Sequence, residues 1–226
     1  MGYILLEGGV EFGGRMSEPD LRAIESAGGF DAPIRILPTA AAPDQNHVRA
    51  GDNGVRWFRS LGAKDVEVVY VIDKASANDE AIAAKIRSAK LIYLLGGFPR
   101  YTAETLANSL VWQSALEAHR TGAILAGSSA GAMVMCEHYY DPYEEKLFSG
   151  LNLIPNACVL PHHDTFGRRW AAMLAKRIPA ATLIGIDEGT GMLFDGHSWT
   201  VHGRGQIVLY HGGQAEAQSK RGTFFL

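Results

Sequence analysis

The sequence predicts an α/β protein: a three-layer, doubly wound, mostly parallel sheet with helices on both faces and antiparallel C-terminal hairpins. Three observations carry this reading. Short aliphatic runs alternate with longer amphipathic ones, most of the runs are apolar at nearly every residue, and the amphipathic stretches stop after about residue 190. Strands buried on both faces read as continuous Val/Ile/Leu runs, and strand–helix alternation with short links builds right-handed βαβ units.

Ile4-Leu5-Leu6, ending at Gly8-Gly9, predicts the first strand, and residues 33–38 predict the second. Residues 66–72 predict a third, 91–95 (closing on Gly96-Gly97) a fourth, and 123–126 a fifth. Between them, Ala50, Trp57, Phe58 and Leu61 fall at i, i+7, i+8 and i+11, one face of a helix. Residues 77–88 place Ile82 and Ile86 four apart, residues 102–119 do the same with Leu106 and Leu110, and Trp170, Met173, Leu174 and Ile178 repeat the pattern. Residues 157–160 and 182–186 predict two more buried strands. The glycine-bounded runs at 191–194, 199–201 and 206–210 predict hairpins on an edge of the sheet. No repeat or linker divides the chain, so one domain over residues 1–226 is expected.

Composition narrows the function. Hydrophobic residues make up 47% and charged residues 20%, enough to build a core. Twenty-one basic against twenty-four acidic residues give a net charge of −3 without a Lys/Arg run, so nucleic acid is not an expected partner. Two cysteines make no disulfide framework, and no apolar stretch approaches the ~20 residues of a membrane span. With no basic, apolar leader at the N-terminus, the expectation is a cytoplasmic protein with no membrane partner.

The sharpest motif is Gly127-Ser128-Ser129-Ala130-Gly131, which follows an apolar strand and precedes an apolar helix start. It fits G-x-S-x-G, in which small residues two before and two after a serine let a strained turn lift the hydroxyl clear of the sheet. Ser129 is the nucleophile in this register. A serine needs a base, and the base needs an orienting acid. His162 and His163 close the run at 157–160, and neighbouring side chains on an extended strand point to opposite sides, so one of the two faces Ser129. Asp187-Glu188 ends the run at 182–186 and supplies the acid. The N–H groups of Gly97, at the end of the fourth strand, and of Ala130 would form an oxyanion hole. Without a base and an acid the same turn would be an anion-binding module. Three consecutive residues, His162, His163 and Asp164, cannot converge on one metal ion from a strand, so neither a metal nor a cofactor is expected.

The order strand-GG, strand-GSSAGA, strand-HH, strand-IDEGT resembles the S51 serine peptidases, the family of α-aspartyl dipeptidase (peptidase E) and cyanophycinase, over residues 91–191. The resemblance implies a class I glutamine amidotransferase-like fold and a triad of Ser129, His163 and Glu188. It implies a small aspartyl peptide as partner, with Arg100, Arg168 or Arg169 as counter-charge for its carboxylate, and leaves a homodimer open. The sequence departs from the family at Phe98-Pro99-Arg100, where a G-G-D-Q or G-G-G-N segment is usual, and at Pro161-His162-His163-Asp164, where D-Q-H-F or N-P-H-F is usual. The first departure also admits a non-peptidase hydrolase or acyl transferase on the same scaffold.

Overall fold

A computed structural model describes residues 2–212 and 214–226. Among them β1 (Ile4–Glu7), β2 (Ile34–Leu37), β3 (Val66–Val68), β4 (Leu91–Leu94) and β5 (Ile124–Ser128) form the parallel part of an eight-stranded sheet. The order continues outward from β1 through the antiparallel β10 (Thr190–Phe194), β11 (Trp199–Gly203) and β14 (Thr223–Phe224), giving β14-β11-β10-β1-β5-β4-β2-β3.

Side-chain alternation assigns the two faces. Leu5, Ile36 and Tyr93 pack with Ile24 of α1 (Ser17–Ser26) and Phe58 of α2 (His47–Ser60). Leu6, Ile92 and Leu125 pack on the other face with Ile86 of α3 (Glu80–Arg87), Val111 of α5 (Leu110–Arg120) and Val134 of α6 (Ala130–Met135). The helix expected across 102–119 is two: α4 (Pro99–Leu106) ends, Asn108 turns left-handed at φ 59°, and the Ser109 hydroxyl caps α5 by accepting the Trp112 N–H at 3.1 Å.

A second sheet was not legible in the sequence. It comprises β6 (Cys136–Asp141), β7 (Lys146–Ser149), β8 (Ile154–Leu160), β9 (Thr182–Ile186), β12 (Ile207–His211) and β13 (Gln214–Gln218), in the order β13-β12-β9-β8-β6-β7. Val159, Ile184 and Ile207 join the core under α6, while Cys158, Leu160 and Leu183 face Leu174 of α7 (Ala171–Arg177). The C-terminal runs therefore divide: β10 and β11 extend the first sheet, and β12 and β13 extend the second.

The two sheets meet where the site forms. The Ser129 N–H donates to the Glu7 carbonyl at the end of β1 (3.0 Å), and the His162 N–H, just past β8, donates to the Gly8 carbonyl (2.7 Å). The C-terminal ends of β1, β4, β5, β8 and β9 thus converge, the edge at which open α/β sheets hold ligands.

Candidate active site

Ser129 sits between β5 and α6 at φ 48°, ψ −112°, a strained conformation for a residue with a side chain. The turn closes because its flanks are glycine. A Cβ on Gly131 would lie 2.3 Å from the Leu94 carbonyl oxygen, and one on Gly127 would lie 2.6 Å from the Gly131 carbonyl carbon. This is the packing that the small residues of the motif imply.

The histidine that reaches Ser129 is His162, not His163. The Ser129 hydroxyl and His162 Nε2 are 3.1 Å apart, and His162 Nδ1 lies 2.8 Å from Glu188 Oε1. A carboxylate can only accept, so Nδ1 carries the proton and Nε2 accepts from the serine. Strand parity left the two histidines as alternatives and the family resemblance implied His163; His162 reaches the serine instead, because β8 ends at Leu160 and the chain turns there. His162 has φ 49°, so the backbone turns there and the extended-strand alternation no longer applies.

Three features support the imidazole and its acid. The Phe166 ring stacks on it with centroids 4.8 Å apart and planes at 20°. Gly9, at φ 114°, leaves room for it, since a Cβ there would lie 2.2 Å from His162 Cε1. The Asp164 carboxylate accepts the Glu188 N–H at 2.8 Å and steadies the acid.

His163 is buried on a separate network. Its Nδ1–H donates to Asp187 Oδ1 (3.3 Å), and its Nε2 accepts from the Tyr210 hydroxyl (2.7 Å). Asp187 Oδ2 also accepts the Gln206 N–H at 3.0 Å. Burial holds the His163 pKa below its ordinary value. His163, Asp187 and Tyr210 line a cavity of about 1010 Å³ that shares no lining residue with the Ser129 cleft.

The Ser129 cleft, about 280 Å³, is lined by Gly97, Ala130 and His162, by Glu11, and by an apolar wall including Pro99, Tyr143, Phe166 and Trp170. Ala130 opens α6, so its N–H has no partner within the helix. None of the three expected arginines lines this cleft. Arg100 donates from Nε to Glu104 at 2.7 Å and also binds Glu144, so its charge is already matched. Arg168 lines the larger cavity beside Tyr210, and Arg169 donates to the Phe166 carbonyl at 3.0 Å. A pocket of about 600 Å³ adjoins the cleft, sharing Glu11, Gly96 and Gly97 with it, and Arg56 is among its lining residues. Sequence reasoning missed Glu11, although a carboxylate bracketed by Gly8-Gly9 and Gly13-Gly14 directly after a strand was a readable signal.

A serine on such a turn, within hydrogen-bond reach of an imidazole held by a carboxylate, has the make-up of a serine-type hydrolase, and the comparisons place this chain among the peptidases of that class. The family model "Peptidase family S51" matches residues 14–202, so the chain belongs to peptidase family S51. It is 29% identical to the cyanophycinase of Geminocystis herdmanii (strain PCC 6308) over 231 aligned positions, covering 97% of this chain and 84% of that protein. The cyanophycinase of Synechococcus elongatus is 28% identical over 225 positions, covering 92% and 67%. Among solved structures, a peptidase from an acI-B1 Actinobacterium superimposes with a TM-score of 0.88 at 28% identity, covering 100% of this chain and 97% of that one. A protein from Listeria monocytogenes EGD-e shares the fold, with a TM-score of 0.65 at 18% identity over 90% of this chain and 99% of that one.

Proposed function

We propose that the protein hydrolyses a peptide or isopeptide bond with aspartate on its acyl side, with Ser129 as nucleophile, His162 as base and Glu188 as orienting acid. The observation that carries this reading is the chain from Ser129 Oγ to His162 Nε2 (3.1 Å) and from His162 Nδ1 to Glu188 Oε1 (2.8 Å). Ser129 Oγ bonds to the carbonyl carbon as its proton passes to Nε2. The carbonyl electron pair moves onto oxygen, where the Gly97 and Ala130 N–H groups receive it. Collapse breaks the C–N bond, and His162 returns the proton to the leaving amine. Water then attacks the acyl-serine ester by the same proton path. Glu188 holds the Nδ1 proton throughout and stabilises the imidazolium.

The aspartyl preference rests on the resemblance to the S51 family, and a cleft of about 280 Å³ suits a dipeptide-sized substrate. In place of the three expected arginines, the cation proposed for the substrate carboxylate is Arg56, which lines the adjoining pocket. Removing a charged hydrogen bond costs about 1.5–3 kcal/mol, so Arg56→Ala is expected to raise KM for an aspartyl dipeptide about 10-fold or more with kcat little changed. An unchanged KM would remove Arg56 from recognition.

The aromatic wall also suits a simple ester, the non-peptidase alternative. Incubation with a fluorophosphonate tests the mechanism: the wild-type protein is expected to be labelled and Ser129→Ala is not. Parallel assays on α-aspartyl dipeptides, β-aspartyl-arginine and p-nitrophenyl acetate separate the substrates. Absence of labelling in the wild-type protein would return the site to an anion-binding role.

A further inference from the structure

Glu11 lies on a costly piece of backbone. Val10 and Phe12, on either side of it, have φ of 58° and 60°, and Gly9 has 114°. A β-branched residue rarely adopts that conformation, and strain of this kind persists where the surroundings over-determine it. The segment delivers one half-buried carboxylate to two elements at once. Oε1 accepts the Gly96 N–H, from the loop after β4, at 3.1 Å, and Oε2 accepts the Ser128 hydroxyl, from the end of β5, at 3.1 Å. Gly96 fits between Glu11 and the nucleophile: a Cβ there would lie 2.7 Å from Glu11 Oε1 and 3.2 Å from Ser129 Cβ.

The inference rests on the serine-hydrolase reading and deepens it. We infer that Glu11 is a positioning residue that sets the spacing between the two oxyanion donors, by tying the loop that carries Gly97 to the turn that carries Ala130. The Gly96 N–H is committed to Glu11, so Gly97, which lines the cleft, carries the next N–H of this loop. Ser128, fully buried and not used in the chemistry, gains a role as the anchor on β5. The arrangement depends on hydrogen-bonding capacity and not on charge, because a negative charge beside a developing oxyanion opposes it. A glutamine offers the same two contacts, its carbonyl oxygen accepting the Gly96 N–H and its amide donating to Ser128 Oγ.

The test measures the second-order rate of fluorophosphonate labelling, and kcat and KM on whichever substrate the wild-type protein turns over, for Glu11→Ala, Glu11→Gln and Ser128→Ala. Loss of one oxyanion donor lowers kcat about 10²–10³-fold, so a displaced one is expected to slow Glu11→Ala about 10–100-fold in labelling and kcat, with KM changed less than about threefold. Glu11→Gln is expected to recover most of the rate, and Ser128→Ala to slow labelling about 10-fold with the serine still reactive. Wild-type rates in Glu11→Ala and Ser128→Ala would overturn the inference while leaving the serine mechanism standing. A Gln variant as slow as the Ala variant would also overturn it, showing that Glu11 acts through its charge. A wild-type protein that is not labelled removes the reading on which the inference depends. If Glu11→Ala fails to fold, Ser128→Ala decides alone, and an unchanged labelling rate rejects the tie.

Discussion

Alanine at Ser129 or at His162 is expected to lower turnover by about 10⁴-fold or more, while alanine at the neighbouring His163 leaves turnover within about one order of magnitude. The contrast follows from what each ring touches. His162 Nε2 accepts from the Ser129 hydroxyl and its Nδ1 proton is held by Glu188, so its loss removes the only proton acceptor within hydrogen-bond reach of the nucleophile among the described residues. His163 lies between Asp187 and Tyr210 in a different cavity. Its removal leaves the Tyr210 hydroxyl without its acceptor and Asp187 held by the Gln206 N–H. Losing the buried imidazole together with its bonds to Asp187 and the half-buried Tyr210 costs about 1–3 kcal/mol. At about 2–4 °C per kcal/mol for a chain of this size, that shows as a lower Tm and not as lost chemistry. Steady-state kinetics and thermal melts on the three variants check both halves. Full turnover in His162→Ala with loss in His163→Ala would refute the assignment.

The nucleophile turn was readable because its geometry is written in residue size. Only small side chains fit where Gly127 and Gly131 meet each other and the Leu94 carbonyl, so the motif constrains the backbone directly. The base was not readable, because the choice between His162 and His163 depends on one dihedral, φ 49° at His162, in a segment whose apolar run predicts continued extension. The arginines illustrate a second limit. Arg100 is drawn to Glu104, four residues on, and to Glu144, 44 residues on, and only the first partner is local enough to anticipate. The second sheet escaped for a similar reason. Tyr139 and Tyr140 of β6 face two different cores, and β6 follows directly on the six residues of α6, so no turn signal separates helix from strand.

Beneath the nucleophile a buried acid pair ties stability to pH. Glu7 ends β1, pairs in register with Ser128 and accepts the Ser129 N–H on its carbonyl. Its side chain and that of Asp20 are fully buried. Glu7 accepts from the Tyr93 hydroxyl and Asp20 Oδ2 accepts the Trp57 indole N–H at 2.7 Å. Glu7 Oε1 and Asp20 Oδ1 have no hydrogen-bond partner among the described residues, so a proton on either carboxyl would relieve an otherwise uncompensated buried charge. Burial raises both groups, Glu7 well above the ordinary carboxyl range and Asp20 to about 7, and the nearby charges of Asp20 on Glu7 and of Glu11 on both add to the rise. Raised values mean that the folded state keeps protons that the unfolded chain releases near pH 4, so this contribution is fully present below that value and is lost as pH rises toward 7. Each pH unit in which the folded state holds one extra proton costs about 1.4 kcal/mol. Between pH 5.5 and 7.0 the unfolding free energy of the wild-type protein is therefore expected to fall relative to that of Glu7→Gln. The glutamine keeps the contact to Tyr93 without the titrating proton. Comparing the two proteins by denaturant titration cancels His119, His163 and His202, whose lowered values act in the opposite direction, removing stability on acidification. Parallel stability curves would show that Glu7 carries no extra proton in the fold. A diverging pair would mean that the carboxyl under Ser129 is held neutral, which spares the oxyanion a third negative charge beside Glu11 and Glu188.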